Sequence, residues 1–286
     1  MLTIIIPSRN ERFLNETIRD VLKNATGEIE ILPVLDGYEP DELVEDSRVR
    51  YIRLPKNSRL QKRHGINQAV KESKGEYIMS LDAHCMIAKG FDEVLVRDHK
   101  PNWVQVPRRN RLDAENWSLQ PQGDNRPPID YEYIMFRPLL KEGEGLHGYK
   151  WDIKTIERMD IPIDETFEFQ GSCWFMTKDW FNKMGFMQIE GYTGWGGEAE
   201  EVSFTTWKNG GKVMTNKNTY YAHLHKGQKY GRMYHLNRTE TRSSYSYAYN
   251  FWIHENKDFF IWLINRFMPL PGWKENWVEI LYKEKK

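Results

Sequence analysis

The first residues decide the fold class: Leu2-Thr-Ile-Ile-Ile-Pro-Ser-Arg-Asn10 is an apolar run followed at once by polar side chains. A short apolar run rich in β-branched residues predicts a buried strand. Similar runs recur along the chain, separated by segments with helical spacing. The predicted strands are Leu2–Pro7, Glu28–Leu35, Val49–Leu54 and Glu76–Leu81, and the predicted helices are Phe13–Lys23 and Leu60–Ser73. This alternation predicts an α/β fold with a Rossmann-like, mostly parallel sheet flanked by helices.

Polar residues follow three of these predicted strands at the point where each strand ends. They are Ser8-Arg9-Asn10, Asp36 and Asp82-Ala83-His84. In parallel sheets, ligands bind at the carboxyl ends of the strands. The sequence therefore predicts a binding site at this edge of the sheet.

The rest of the chain has longer loops and a helical end. Strands are predicted at Trp103–Arg111, Phe167–Met176 and Val213–His225, and helices around Tyr131–Leu140, at Lys178–Met184, at Glu198–Lys208 and from about Tyr245. We expect one domain over 1–286. It divides into three parts, residues 1–110, 111–225 and 226–286, of which the last ends in helices.

The composition excludes several classes of protein. Lys plus Arg and Asp plus Glu are both 41, so the balance is neutral and predicts no general attraction to nucleic acid or anionic lipid. No apolar run approaches the roughly 20 residues of a spanning helix, and no signal peptide is indicated. Two cysteines in 286 residues favour a reducing compartment. We expect a cytoplasmic location, in a bacterium or a phage-infected host.

The motif Asp82-Ala83-His84 is a candidate metal site, because side chains two residues apart in an extended strand lie on the same side. A carboxylate and an imidazole can hold a divalent ion. The alternative is a strand-end turn with a capping Asp. His223, at the end of a later predicted strand, is a candidate third ligand, and His225 competes for that role.

A second motif, Gly194-Trp-Gly-Gly-Glu-Ala-Glu-Glu201, opens a predicted helix. Acidic residues in a first turn suit the helix dipole, so simple capping is the alternative explanation. Glycines there would allow a ligand to approach the backbone closely, and Trp195 offers a face for a sugar.

A third pattern interleaves cations and rings after His223. Its members are Arg232, Arg238 and Arg242 with Tyr230, Tyr234, Tyr245 and Tyr247. Such a mixture can bind a nucleic-acid strand.

Together these stretches resemble GT-A-fold nucleotide-sugar glycosyltransferases, and most of all the catalytic domain of polypeptide N-acetylgalactosaminyltransferases. The matching stretches run in the family's order: Thr3–Glu11, Ser80–Cys85, Trp195–Phe204 with Trp207 and Gly210-Gly211, His223–Lys226, and Phe251–Phe260. The resemblance therefore covers most of the chain. It implies a nucleotide-binding half (1–110), an acceptor half (111–225), and a lid loop with C-terminal helices (226–286).

The resemblance implies a Mn²⁺ or Mg²⁺ site formed by Asp82, His84 and His223, and a UDP-sugar as donor. Asp36 would contact the uracil or ribose, and the loop formed by Pro7, Ser8, Arg9 and Asn10 would line the nucleotide pocket. Lys226 and Tyr230, with Lys229 and Arg232, would belong to a loop that closes over the diphosphate. Arg63, Lys62 and the loop around Asn57 would also face the nucleotide, although a solvated helix face is the preferred interpretation of these positions.

The catalytic residues implied are Glu198, Trp195 and Glu201. Many inverting relatives place an Asp base where this chain has Ala199, so we expect a retaining transfer of a hexose or HexNAc in which Glu198 positions donor or acceptor. A base role for Glu198 or Glu201 is the lesser option. A catalytically silent binding module and a nucleotidyltransferase are the competing hypotheses.

The acceptor is left open by these residues. A glycan, a protein and a modified base of phage DNA are the candidates, with no transmembrane contact expected. The oligomeric state is also open.

Overall fold

The computed structural model describes residues 1–55, 62–123, 126–136, 146 and 148–283. The strands of this part of the chain are β1 (Leu2–Ser8), β2 (Ile29–Asp36), β3 (Ile52–Leu54), β4 (Tyr77–Leu81), β5 (Cys85–Ile87), β6 (Trp103–Asp113), β7 (Ser118–Leu119), β8 (Glu132–Ile134), β9 (Gly148–Lys150), β10 (Ile163–Glu165), β11 (Cys173–Thr177) and β12 (Lys212–His223).

The helices surround the sheet and make up the C-terminal end. They are α1 (Leu14–Asn24), α2 (Lys62–Glu72), α3 (Phe91–Arg97), α4 (Asp152–Glu157), α5 (Lys178–Met184), α6 (Glu198–Lys208), α7 (Gly227–Tyr230), α8 (Arg238–Tyr249), α9 (Lys257–Phe267) and α10 (Trp277–Tyr282). A π-helical segment, Asn250–Glu255, joins α8 to α9. No helix in the described ranges has the length and apolar character needed to cross a bilayer.

The central sheet has ten strands among the described residues, with β10-β12-β6-β11-β4-β1-β2-β3 as its main order. Strands β3, β2, β1 and β4 are mutually parallel, and β6 and β12 run the same way across the antiparallel β11. The register places Leu2 beside both Ile29 and Tyr77. The predicted α/β fold with a mostly parallel sheet, flanking helices and a helical C-terminal region is confirmed.

Burial explains why β1 lies in the centre of this sheet. Ile4, Ile5 and Ile6 are completely buried, as expected of a central strand covered on both faces. Helix α1 covers part of the sheet with Leu14, Ile18 and other apolar side chains on one face. Burying each such side chain contributes about 1.5–3 kcal/mol.

Strand β12 connects the late part of the chain to the functional edge. It pairs with β6 in parallel and with β5 in antiparallel orientation, and His223 lies opposite Cys85. The β6–β12 register shifts between Asn216 and Tyr220, which marks a bulge in a 12-residue strand. The pairing of β12 with β5 places the end of β12 beside the turn that follows β4.

Three sequence predictions of secondary structure are wrong in part. The helix expected around Tyr131–Leu140 is replaced by β8, and residues 137–140 lie outside the described ones. The strand expected at Phe167–Met176 is restricted to β11. The C-terminal helix begins at Arg238 rather than near Tyr245, because the Asn237 side chain caps it by accepting hydrogen bonds from two backbone amides.

The C-terminal helices pack on the domain through aromatic rings. Phe204 of α6 contacts Trp252 edge-to-face, with ring centroids 5.2 Å apart. Phe260 and Trp277 are also buried. The apolar stripe of α9 is therefore part of the core, while Trp262 on its outer side is 46% exposed.

Candidate functional site

A cleft of about 820 Å³ opens at the carboxyl ends of β1, β2 and β4. Its walls come from these strand ends, from the start of α6 and from the segment after β12. The residues named from the sequence that line it include Pro7, Ser8, Arg9, Asp36, Lys62, Asp82, His84, Trp195, Glu198, His223, His225, Lys226, Arg232, Tyr234 and Tyr245. The topology thus brings together side chains that are more than 200 positions apart.

Asp82, His84 and His223 form a compact group in this cleft. Their ligand-type atoms all lie within 4.8 Å of one another. His84 Nε2 and His223 Nε2 are 3.0 Å apart, and His223 Nε2 is 3.6 Å from Asp82 Oδ2. Burial lowers the pKa of His223 to about 3, so its imidazole is neutral, as a metal ligand must be. The three residues fit a divalent cation by donor type and by convergence.

His225 is the competing ligand named from the sequence. It lines the cleft, and its ring centroid lies 5.1 Å from that of His223. It does not belong to the three-residue group found within the described chain.

Two further groups, Glu11 and Lys62, contact His84 and Asp82 respectively. His84 Nδ1 lies 3.2 Å from Glu11 Oε2, and Lys226 donates a hydrogen bond to the same carboxylate. Burial opposes ionisation of Glu11, but His84 and Lys226 hold its pKa below the ordinary value. A carboxylate behind a ligating histidine orients the ring. The motif spacing did not single out Glu11.

Lys62 is the second such group. Its Nζ donates to Asp82 Oδ1 at 2.7 Å and to the carbonyl of Gly171 at 2.6 Å. Although burial opposes ionisation of Asp82, this ammonium group keeps the pKa of Asp82 well below its usual range. The solvated helix face considered for Lys62 is therefore wrong. The loop around Asn57 lies outside the described residues.

The end of β1 contacts the end of β2. Arg9 and Asp36 form an ion pair with 3.7 Å between Nη1 and Oδ2, and Ser8 Oγ contacts the Tyr38 hydroxyl. Asn10 lies outside the cleft lining and donates to the carbonyl of Met233 at 3.0 Å. It ties the β1 loop to the segment after β12.

The start of α6 depends on two glycines with positive φ. Gly196 has φ 100° and Gly197 has φ 79°, backbone conformations that other residues rarely adopt. A Cβ on Gly196 would lie 2.7 Å from the Tyr245 ring. On either side of these glycines, Glu198 lines the cleft, and Trp195 also lines it with 41% of its surface exposed.

Arg63 and Glu201 lie elsewhere. They form a buried ion pair, each only 2% exposed, and neither is among the described residues that line the cleft. Arg63 also stacks on Tyr192, 3.8 Å from the ring centroid. The solvated helix face considered for Arg63 is therefore wrong. The pair joins α2 to α6.

Tyr230 also lies outside the described cleft lining. Its ring packs edge-to-face against Phe13, with the centroids 5.5 Å apart.

A second acidic group also contributes to the cleft, and only one of its members, Glu200, belongs to a sequence motif. Glu132 and Glu200 line it, and Glu132 forms an ion pair with the buried Arg109. Burial, and then the charge of Glu198, raise the pKa of Glu200 to about 7. Glu168 is 1% exposed, and its carboxylate oxygens have no hydrogen-bond partner among the described residues. Nothing in the spacing of these glutamates indicates that they meet.

The comparison with solved structures agrees with this architecture. A crystal structure of GalNAc-T7 with UDP, GalNAc and Mn²⁺ superposes on 98% of this chain and on 53% of its own chain, with a TM-score of 0.69 and 19% sequence identity. That likeness shows the fold. The sheet and the cleft thus define an α/β protein of the GT-A type.

The family follows from the sequence match. Residues 3–185, well over half of the chain, match Glycosyl transferase family 2. The chain belongs to this family of glycosyltransferases.

Curated relatives include the putative polypeptide N-acetylgalactosaminyltransferase 13 of Drosophila melanogaster, 25% identical over 74% of this chain and 39% of that protein. N-acetylgalactosaminyltransferase 7 of Homo sapiens is 23% identical over 90% of this chain and 41% of that protein. The chain thus spans about two fifths of the length of these relatives.

Proposed function

We propose that this chain is a metal-dependent glycosyltransferase that moves a hexose or HexNAc from a UDP-sugar to a hydroxyl group, with retention of configuration. The observation that carries the proposal is the convergence of Asp82, His84 and His223 in the cleft of a family 2 fold. The solved GalNAc-T7 structure, which has the same fold, holds UDP and Mn²⁺.

The metal would be held by that trio, with Mn²⁺ or Mg²⁺ as the candidates. When bound, it would supply positive charge to the departing diphosphate. Glu11 would fix the His84 ring through Nδ1, and Lys62 would stay close to Asp82 and add a second positive charge.

The nucleotide would occupy the side of the cleft formed by β1 and β2. Asp36, held by Arg9, is placed to accept hydrogen bonds from the uracil or ribose, and Pro7 and Ser8 form the adjoining wall. Lys226 lines the opposite wall on the segment after β12. A segment there that closes over the diphosphate would exclude water, which otherwise hydrolyses the donor.

In the transfer, the acceptor oxygen forms a bond to the anomeric carbon. The bond from that carbon to the diphosphate breaks, its electron pair leaves with UDP, and the acceptor proton passes to the departing phosphate oxygen or to solvent. Ala199 cannot accept a proton, which supports retention. Glu198 would position the reacting sugar, and Trp195 would offer its exposed ring to donor or acceptor.

The first test measures UDP release from a panel of UDP-sugars with Mn²⁺. Asp82→Ala should abolish release because the cation loses its carboxylate ligand, and near-normal turnover would refute the metal assignment. His223→Ala should abolish release or raise the Mn²⁺ requirement. His225→Ala is the matched control, and an equal effect from it alone would move the ligand by two residues.

The second test separates catalysis from binding. Glu198→Gln should lower turnover while calorimetry still detects UDP binding. UDP binding by the unsubstituted protein without any UDP release in Mn²⁺ would instead indicate a silent binding module. The anomeric configuration of the product, read by NMR, tests retention. An inverted product would overturn it and direct attention to Glu200 as a base.

A further inference from the structure

Beside the donor cleft lies a second cavity of about 460 Å³, which we name the arginine pocket. It is formed mainly by the segment between α7 and α8 and by the first two turns of α8. Its charged and aromatic lining residues are Arg232, Tyr234, His235, Arg238, Arg242 and Tyr245.

The arginines of this pocket have no carboxylate partner in the part of the chain that the structure describes. Arg232, Arg238 and Arg242 are exposed, and within the described ranges none of them forms an ion pair. Arg238 and Arg242 are four residues apart on one helix face, so they repel each other. Both also lie near the N-terminal end of α8, where the helix dipole favours anions rather than cations. Three such cations are well suited to bind an anionic ligand.

The arginine pocket is continuous with the donor cleft. Arg232, Tyr234 and Tyr245 line both cavities. Arg232 Cζ lies 4.9 Å from the centre of the exposed Trp195 ring. Rings and arginines therefore alternate along a path that leads from the arginine pocket to the start of α6, where an acceptor must arrive. Aromatic rings beside a basic groove are the features that bind single-stranded nucleic acid.

We propose that the arginine pocket binds the phosphodiester backbone of a single-stranded nucleic-acid acceptor, and that the target base, bearing a hydroxyl group, reaches the donor cleft. The neutral overall charge agrees with a short contact rather than a long one. This inference rests on the proposed function, because it names the class of acceptor for that reaction.

The test uses a fluorescein-labelled DNA single strand of about 12 nucleotides, within the usual site size, and measures anisotropy from low to moderate salt. Three phosphate contacts predict a slope of log affinity against log salt of about −2, at roughly −0.7 per contact. Arg238→Ala with Arg242→Ala should reduce it to about −0.7 and weaken binding at least about tenfold. Arg19→Ala with Arg97→Ala is the control, because it removes the same charge from two exposed, ion-paired arginines outside both cavities.

Three results would overturn the inference: no binding of the strand, an unchanged slope in the Arg238/Arg242 double variant, or an equal loss in the control. An abasic strand of the same length keeps the phosphates and lacks the bases. We expect it to bind at least about tenfold more weakly, since stacking contributes roughly 1–3 kcal/mol per base. Equal binding would identify a general polyanion site and overturn the nucleic-acid assignment.

UDP calorimetry on every variant reports whether the donor cleft is folded, and it also separates the two proposals. UDP release with Mn²⁺ but no strand binding overturns the acceptor inference alone. Strand binding with the expected salt slopes but no UDP binding overturns the donor proposal alone.

Discussion

The buried pair between Arg63 and Glu201 offers the sharpest test of how this fold supports its cleft. Arg63→Met removes the guanidinium group and leaves the Glu201 carboxylate 2% exposed, with the backbone amide of Gln188 as a remaining donor at 2.6 Å. Removing one partner of a buried ion pair typically costs about 3–5 kcal/mol. The lost stacking on Tyr192 is included in that range.

The magnitude can be expressed as a melting temperature. At roughly 2.1 cal/mol/K per residue, 286 residues give a melting entropy of about 0.6 kcal/mol/K. The expected loss for Arg63→Met is therefore about 5–8 °C in calorimetry, and the midpoint of urea unfolding should fall accordingly.

A double-mutant cycle separates the pair from its surroundings. Glu201→Gln keeps an acceptor for the Gln188 amide but leaves Arg63 without its counter-charge, so it should also destabilise. The double variant should lose at least about 1 kcal/mol less than the sum of the single losses, since neither charge is then left alone. An additive cycle would refute the pairing argument. A stable Arg63→Met variant that has lost UDP binding would show instead that Arg63 contacts the nucleotide, as the sequence resemblance implies.

Three further changes probe other parts of the site. Glu200→Gln should stabilise the protein more at pH 8 than at pH 5, by up to about 3 kcal/mol in urea unfolding. The reason is that the pKa of Glu200, raised from 4.5 to about 7, makes its ionisation above pH 5 unfavourable to the folded state. Equal effects at both pH values would contradict this. Lys62→Met should lower the melting temperature of the metal-free protein at pH 7, because the Asp82 carboxylate loses its ammonium partner. Mn²⁺ should restore part of that melting temperature in a thermal-shift assay. No recovery would argue against a cation at Asp82. Gly194→Ala should lower the melting temperature, since its Cβ would overlap the α8 backbone at Glu240, while the control Gly123→Ala meets open space and should not.

The sheet and its functional edge follow from local sequence. The triple isoleucine of β1 and the polar residues after β1, β2 and β4 predict both the buried strand and the position of the cleft. These features depend on neighbours in sequence, so periodicity is enough to find them. The candidate third ligand, His223, is predictable because an apolar run precedes it and because the resemblance includes it.

The errors have a different origin, since they concern long-range contacts. A lone Lys62 at the start of a predicted helix looks like a solvated side chain, and only the tertiary fold places it against Asp82. Arg63 looks the same in sequence, yet it is buried because α6 supplies Glu201, 138 positions away. The charges of Glu168 and Glu200 interact for the same reason. No spacing rule connects residues whose proximity depends on the packing of separate elements.

The position of β12 has a consequence for dissecting the protein. The family match ends at residue 185, whereas β12 begins at Lys212 and lies between β10 and β6 inside the sheet. A fragment cut at that boundary would expose the edge of β6, a long strand, to association with other chains. Expression studies guided by the homology boundary would thus report on an incomplete sheet, and the region after residue 185 is as much a part of the folding unit as the matched region.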